Sequence, residues 1–479
     1  MHRRRAEPLV LALDIGSSSV RSALFDEKAR LLPRSRASEV YRLRHSADHA
    51  AELDAALLLR ATRKCLQQTR RLTKSPLPII AGSGFWHSLL GLDRAGKPLT
   101  PIYTWADSRC APDAAQLREK LDERVIQKRT GCMLRASFWP AKLLWLRRTQ
   151  PKLFRRVTRW VAPAEWIFEE IFGVRACSHS MASGTGLYDF AARNWDGELL
   201  EIVGLTNSQL NPLRDRVEAK GATIFPAIGD GAASNLGSGA SAPGIVAINV
   251  GTSAAVRAIP ARATPLPFGL FRFVVDRERA LLGGAVSNAG NLRAWCLREL
   301  RLSPNDRQIE QLLRAADRDV SRLTILPFWV SERAPTWPEN LEGVIVGLTQ
   351  ATTAADLLHA TTAATSHRLA EIFERLEKAL GPVKKIVVSG GILQSPASLQ
   401  ILADSLGRDL ETCADQEASL RGAAVHALEQ SGRKVPAPKR GKQIRYRRKA
   451  VRAARQQRAR QRELEARMTP NDRAPSASS

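Results

Sequence analysis

The sequence predicts an α/β protein made of two related domains, and two observations carry that prediction. Strand-like and helix-like stretches alternate along most of the 479 residues, a length sufficient for two full cores. One pattern also occurs twice. In Leu9-Val-Leu-Ala-Leu-Asp14-Ile-Gly16-Ser17-Ser18-Ser-Val-Arg21-Ser-Ala-Leu-Phe25 an apolar run meets a small polar turn and leaves as a second β-rich run, which is a hairpin pattern. Ile245-Val-Ala-Ile-Asn249-Val-Gly251-Thr252-Ser253-Ala-Ala-Val-Arg-Ala-Ile259 repeats it, its glycine 235 residues after the first and with one extra residue before its Val-Arg. Two units on one plan follow, each offering a small-residue turn to a shared cleft.

The remaining elements read in order. Pro78-Ile-Ile-Ala-Gly82 is a strand entering a turn, and 141–148 and 165–172 are amphipathic helices. Residues 354–380 form a long helix ended by Gly381-Pro382. Lys385-Ile-Val-Val-Ser389 is a buried strand running into the tight turn Gly390-Gly391, and 395–407 is another helix. From Gly432 the composition changes: Pro436 and Pro438 break the chain and basic residues then dominate. The expected division is 1–242, 243–430 and a basic tail, 431–479, disordered or partly helical. Residues 447–467 favour a helix through Ala, Arg, Gln and Glu, but show no apolar stripe wide enough to dock on a core.

Composition sets further bounds. Hydrophobic content of 44% and charged content of 25% are those of a soluble globular protein. No run approaches the roughly 20 apolar residues of a membrane span, and the short apolar stretch after the first arginines meets Asp14 at once, unlike a signal peptide. The expectation is a cytoplasmic protein with no membrane partner; a homodimer is left open. Six cysteines form no C-x-x-C pair, which speaks for reduced, buried thiols and against a closed zinc site. Of the net charge of +26, half lies in 431–479, where sixteen Lys and Arg face three Asp and Glu. That tail reads either as a dispensable solvated extension or as a weak, sequence-tolerant contact with RNA or DNA; with Tyr446 its one aromatic residue, base stacking is not expected.

Several residues have the chemistry for phosphoryl transfer, which needs amides and hydroxyls around phosphates, a metal-linked carboxylate and a base. Gly16-Ser17-Ser18 and Gly251-Thr252-Ser253 supply the first, although either alone is also an ordinary turn. Asp14 either caps its turn or holds Mg²⁺ through water. Asp230, in Ile228-Gly-Asp230-Gly-Ala-Ala-Ser-Asn-Leu-Gly237, reads first as a helix N-cap. Trp105-Ala-Asp107-Ser-Arg109 combines a ring, a carboxylate and a guanidinium, the set a polyol needs; a salt bridge beside a buried Trp reads equally well. No G-x-x-x-x-G-K-[ST] phosphate loop is present.

From Leu9 to Leu428 these segments, in this order, resemble the FGGY carbohydrate kinases. Asp14-Ile-Gly-Ser-Ser-Ser-Val-Arg21 is similar to that family's first phosphate motif, with Ser17 where threonine is usual, and Gly251-Thr252-Ser253 to its second. Ser389-Gly390-Gly391 followed by Gln394-Ser395-Pro396 is similar to its adenosine motif, and Ile228-Gly-Asp230-Gly to the segment of its catalytic base. Within the family the gluconokinases are most similar, through Trp86-His87-Ser-Leu-Leu, Pro98-Leu-Thr-Pro-Ile-Tyr-Thr-Trp105-Ala-Asp107-Ser-Arg109, Lys142-Leu-Leu-Trp145-Leu and Leu326-Pro-Phe-Trp-Val-Ser-Glu332-Arg333-Ala-Pro335. Three features depart from the pattern: Ser178 where Asp is common, Ala363-Ala364 for a common Glu-Gly, and the basic tail.

The resemblance implies two actin-like (ribonuclease H-like) domains with a nucleotide and sugar cleft between them. It implies ATP and Mg²⁺ as cofactors, a hydroxyl of D-gluconate as acceptor and 6-phosphogluconate as product. Asp230 becomes the base, and Asp14 holds the metal through water. Gly16, Ser17, Ser18, Arg21, Gly251, Thr252, Ser253, Gly390, Gly391 and Gln394 contact ATP. Trp105, Asp107 and Arg109 contact the sugar, as does His87, which reads equally as a structural histidine. A pentulose kinase similar to xylulokinases, a non-catalytic sugar sensor and a tail-mediated nucleic-acid binder are the alternatives.

Overall fold

The computed structural model describes residues 9–73, 76–261, 264–303, 305–316, 322–415 and 417–469. The chain forms two compact units: 1–245 with 257–283 and 413–439, and 246–256 with 284–412 and 440–479. Both are discontinuous in sequence, unlike the expected division at 242 and 430. The difference lies in contacts rather than strand pattern: the helix Ala418–Gln430 packs on strands and a helix of the first unit.

The first unit is centred on six strands: β1 (Val10–Ile15), β2 (Ser19–Phe25), β3 (Ala37–Val40), β4 (Ile79–Gly84), β5 (Val217–Ala219) and β6 (Ala222–Gly229), in the order β5-β6-β4-β1-β2-β3. The predicted first hairpin is β1–β2, antiparallel, and β4 and β6 lie parallel to β1. All six residues of β1 are buried, as expected of a strand covered on both faces. Leu11, Leu13 and Ile15 join a core shared with the helices α1 (Ala55–Arg70) and α2 (Pro163–Phe172). α1 begins where Asp54 accepts the Leu57 amide at 2.9 Å, a cap of about 1 kcal/mol. Beyond β6 comes α3 (Asp230–Gly237), which meets the helix Ala418–Gln430 backbone to backbone at Gly237 and Gly422.

The second sheet includes β7 (Ile245–Val250), β8 (Ala254–Ala258), β9 (Ala280–Val286), β10 (Lys385–Ser389), β11 (Leu410–Cys413) and β12 (Arg440–Ile444), ordered β9-β8-β7-β10-β11-β12, with a seventh strand, Phe271–Val274, paired to β9 at the edge. Its helices include α4 (Gly290–Glu299), α5 (Ala354–Leu380), α6 (Pro396–Leu406) and α7 (Arg448–Met468). The range of α5 is the predicted one; Thr353 and Asp356 cap it reciprocally. Ala363 and Ala364 are buried in two adjoining apolar clusters, so their departure from the family pattern is one of packing.

The tail carries its expected helix, but the expectation that it would not dock requires a correction. Within 431–469 it contains β12 on the sheet edge and α7 docked against α5 and α6. Its seat is polar. Arg462 pairs with Glu371 (2.7 Å) and Glu374 (3.1 Å), Arg458 with Glu374, and Arg447 with Asp404 (2.6 Å). Gln461 accepts from His367 at 3.2 Å and donates to the Ala364 carbonyl. An apolar stripe was the wrong signal to seek. Residues 470–479, also part of the expected tail, lie outside the described residues. Among the described residues no helix is long and apolar enough to cross a membrane, and all six cysteines are buried single thiols.

Burial also sets a pH dependence. It pushes His367 in the second unit and His426 in the first down to about 4 from an ordinary 6.5. Between those limits the unfolded chain binds protons that the folded chain does not. This stability is complete above about pH 6.5 and is lost as pH falls toward 4. Urea titrations at pH 7 and 5.5 should differ by about 1 kcal/mol per histidine, and His367→Gln and His426→Gln should flatten the difference.

Candidate active site

Three parallel strands of the first unit end level. Ile15, Gly84 and Gly229 are neighbours across β1, β4 and β6, although β6 carries a bulge between Phe225 and Ile228, around Pro226. The turn at Gly16, the loop Phe85-Trp86-His87 and Asp230 therefore leave from one edge, the carboxyl end of the parallel strands, where α/β sheets bind ligands. In the same register Asp14 faces Arg21 on β2 and Ser83 on β4. Its carboxylate is 2% exposed, pairs with Arg21 and accepts the Ser83 hydroxyl at 2.5 Å. Arg21 also reaches Glu417 at 2.9 Å. The charge of Asp14 chiefly raises the Arg21 pKa, against burial, which lowers it. The Gly16 amide donates to the Ser19 carbonyl at 2.9 Å, and the Tyr41 hydroxyl donates to the Gly16 carbonyl, so the turn holding Ser17 and Ser18 is fixed from both sides.

Asp230 is the first residue of α3; Gly229 is the N-cap, so the capping reading of Asp230 does not hold. One carboxylate oxygen accepts the Gly231 amide at 2.7 Å. Trp86 lies against the glycines on both sides of it. A Cβ on Gly229 would fall 1.7 Å from the indole, so no other residue fits there. The indole donates to the Ser180 carbonyl at 3.0 Å, and Ser180 accepts the Gly229 amide at 3.1 Å. His87 donates from Nδ1 to the Gly184 carbonyl at 2.5 Å, its ring edge-on to Phe138. In the neutral ring this leaves Nε2 as an acceptor. Arg257 adds a cation the sequence reading had not assigned: it donates to the Gly231 carbonyl at 3.0 Å, and burial lowers its pKa while the charge of Asp230 opposes that. Its signal was present, since Arg257 is the Arg of the repeated Val-Arg, the counterpart of Arg21 beside Asp14.

Leu89 and Tyr103 exchange backbone hydrogen bonds, which sets the loop carrying Trp105, Asp107 and Arg109 next to that of His87. Trp105 is half-buried against the core. Asp107 is 2% exposed and already engaged: it takes Arg109 at 2.6 Å and 3.1 Å and the Ala51 amide at 3.3 Å. Arg109 also binds Glu52 at 2.6 Å and stacks on Trp145, 4.6 Å from the ring centre. Burial lowers the Arg109 pKa, but its bonds to Asp107 and Glu52 raise it more. Asp107 therefore holds Arg109 and its loop. Ser178 caps the short helix His179–Ser183 and donates to the Ala227 carbonyl at 2.6 Å, bracing β6 just before Asp230.

The second unit holds a cavity of about 660 Å³. Gly251, Thr252, Gly391 and Gln394 line it, with Gly290 and Asn291 of α4 and Thr361, Thr365 and Ser366 of α5. The Gly290 and Asn291 amides donate to the Gly251 and Thr252 carbonyls at 3.0 Å and 3.1 Å. Gly390 has φ +93°, and a Cβ there would fall 2.4 Å from the Val250 carbonyl oxygen, so the glycine turn is obligatory. Ser253 and Gly390 adjoin the cavity in sequence and are not on its wall. Glu332-Arg333 braces this site: Glu332 accepts the Ser287 amide at 2.5 Å and Arg333 donates to the Ser287 hydroxyl at 3.1 Å.

Residues 9–247 match the N-terminal domain of the FGGY family of carbohydrate kinases, and 246–430 match its C-terminal domain. The chain belongs to that family. It is 28% identical over 458 residues to the gluconokinase of Bacillus subtilis, covering 88% of each chain. Its fold is that of a gluconate kinase from Lactobacillus acidophilus (TM-score 0.86, 24% identity, 96% of this chain and 98% of that one) and of a ligand-bound xylulose kinase from the same organism (TM-score 0.87, 24% identity, the same coverage). A share of 96% cannot be reached without residues beyond 430, so the common fold extends into the tail.

This FGGY kinase is an ATP-dependent sugar kinase. Its second-unit cavity, lined by small residues, hydroxyls and backbone amides, fits a nucleotide. Among the described residues no three His, Cys, Asp or Glu side chains gather as a metal cage. A Mg²⁺ held mainly by nucleotide phosphates and water fits this donor set, since Mg²⁺ keeps much of its hydration shell. Asp230→Asn preserves the acceptor for the Gly231 amide and removes the base. It should lower kcat by about 10² or more with nucleotide affinity little changed; steady-state kinetics with calorimetric ADP binding would show it, and near-normal kcat would remove Asp230 from this role.

Proposed function

We propose that this kinase transfers the γ-phosphoryl group of ATP to a hydroxyl of D-gluconate, giving 6-phosphogluconate, in the cytoplasm. The observation that favours gluconate over other polyols is the likeness to the Bacillus subtilis gluconokinase across nearly the whole of both chains. Asp230 orients the attacking hydroxyl and accepts its proton. Arg257, whose charge Asp230 feels, keeps a cation beside that carboxylate. Gly16-Ser17-Ser18 and Gly251-Thr252-Ser253 offer amides and hydroxyls to the charge that develops on the phosphoryl group. Mg²⁺, when bound with the nucleotide, neutralises phosphate charge; Asp14 would hold it through water while keeping Arg21. Trp105 covers a C–H face of the sugar, Nη1 of Arg109 meets its acid group, and His87 Nε2 accepts from a hydroxyl.

A substrate panel tests this reading. D-gluconate should give a higher kcat/KM than D-xylulose or glycerol; a preference for xylulose would replace gluconate with a pentulose. Arg109→Gln should reduce kcat/KM for gluconate roughly 10- to 100-fold more than for a neutral polyol, the scale of a charge-assisted hydrogen bond. An equal loss on both would make Arg109 only a support for its loop.

A second reading concerns the outer face of α7. Arg445, Arg448, Lys449, Arg452 and Arg455 are exposed and have no carboxylate partner among the described residues. Arg448, Arg452 and Arg455 recur at i, i+4 and i+7 on one side of the helix. We propose weak contact of this face with RNA or DNA phosphates, falling steeply with salt. Changing Arg448, Lys449, Arg452 and Arg455 together to Gln should move elution from immobilised nucleic acid to lower salt and leave kcat and KM unchanged. Unaltered elution would remove the contact.

A further inference from the structure

We infer that α7, through Glu465, positions the wall of the second unit's cavity and so sets the affinity for nucleotide. This rests on the reading of that cavity as the nucleotide site. At about 100° per residue, α5 presents Leu358, Thr361, Thr365 and Leu369 on one side, and these line the cavity. Ala364, His367 and Glu371 fall on the other side, and Arg368 lies at the border between the two, next to Thr361; all four meet α7. One helix therefore has the cavity on its front and the tail helix on its back.

The contact that matters most is ionic and buried. Arg368 is 1% exposed, and its Nη1 donates to Glu465 at 2.6 Å. Its Nη2 donates to the Thr336 hydroxyl at 2.9 Å, and that hydroxyl in turn donates to Glu465. The nearest carboxylate on its own helix, Glu371, is farther away at 3.8 Å. Arg368 also acts on a second buried carboxylate. Burial chiefly raises the Glu332 pKa, and the charge of Arg368 opposes it. Glu332 in turn holds Ser287 and the Asn288 amide group (3.1 Å), and the Asn288 carbonyl accepts the Thr365 hydroxyl at 3.3 Å. Two residues on, Gly290 donates to Gly251 of the phosphate turn. The path from the tail to the phosphate turn thus runs through hydrogen bonds from Glu465 to Arg368 and from Glu332 to Gly251, joined by the charge of Arg368 acting on Glu332. Without a carboxylate at 465, Arg368 is left with Glu371 and Glu332, and its turn toward Glu332 displaces the 287–290 loop.

Glu465→Gln tests this with little change of shape. Below its melting temperature the variant should show KM for ATP and Kd for ADP raised about 5-fold or more, an ordinary coupling for one network. KM for the sugar and kcat at saturating ATP should stay within about 2-fold. Adding Arg368→Gln should recover part of the loss, because the uncompensated buried charge is removed. A lower melting temperature with unchanged nucleotide constants would overturn the inference, reducing α7 to a prop. Thr362 of α5 also lines the cavity, and Thr362→Phe, which puts a ring into that space, separates the two readings. If it leaves ADP affinity intact, the cavity is not the nucleotide site and the inference falls with it. If it abolishes ADP binding while Glu465→Gln changes nothing, the inference alone is overturned.

Discussion

Ile15, Gly84 and Gly229 are in-register neighbours on three parallel strands, and the first unit's chemistry depends on that level edge. It puts the first small-residue turn, the Trp86 loop and the half-exposed Asp230 at the same end of one sheet. The side-chain period of a strand is two, so a slip of one residue in β1 would turn Asp14 away from Arg21 and Ser83 and set its carboxylate against the opposite, equally buried face. The bulge around Pro226 meets the same constraint from the other side. It takes up an offset inside β6 so that Gly229 still arrives opposite Gly84. Gly229 must then remain without a side chain, because Trp86 fills the space.

The second unit is braced by charge as well as by apolar packing. Glu332, Arg368 and Glu465 are all buried, and each lies within reach of another's charge or hydrogen bond. Such pairs contribute modest net stability when intact, yet removing one partner costs about 3–5 kcal/mol, because the other is left buried and uncompensated. The arrangement resists small displacements more than it adds to the total. These residues stand behind a cavity wall made in part by α5 and Ala289–Asn291.

Much of the fold was legible because it follows hydrophobic period and glycine punctuation. Both repeated hairpins, the strand at Lys385–Ser389 and the full span of α5 were read directly. Asp230 stood out between two glycines, and its weight came from the surrounding family pattern. Other parts depend on partners far away in sequence. Nothing local to Asp107 says that Arg109 is shared with Glu52, because Glu52 lies more than fifty residues earlier in the chain. Arg257 was visible as the second Val-Arg, but the carboxylate it faces is 27 residues earlier and outside its hairpin. The tail helix was legible at 447–467, but its docking escaped for a different reason. Its docked residues, Arg458, Gln461 and Glu465, recur at i, i+3 and i+7 as an apolar stripe would, but they are polar, and a hydrophobic pattern is blind to them.

The helix Ala418–Gln430 completes the unit that the first 245 residues begin. Its contact with α3 at Gly237 and Gly422 is made by backbones, leaving no room for a substitute. On the ribosome, the helix bearing Asp230 emerges roughly 180 residues before its partner does, a wait on the order of 10–40 s at about 5–20 residues per second. Throughout that interval one face of the nascent sheet and of α3 stays uncovered. The chain must therefore spend part of its synthesis exposed to aggregation and to chaperones, and a stalled or prematurely ended chain lacks a finished domain at either end.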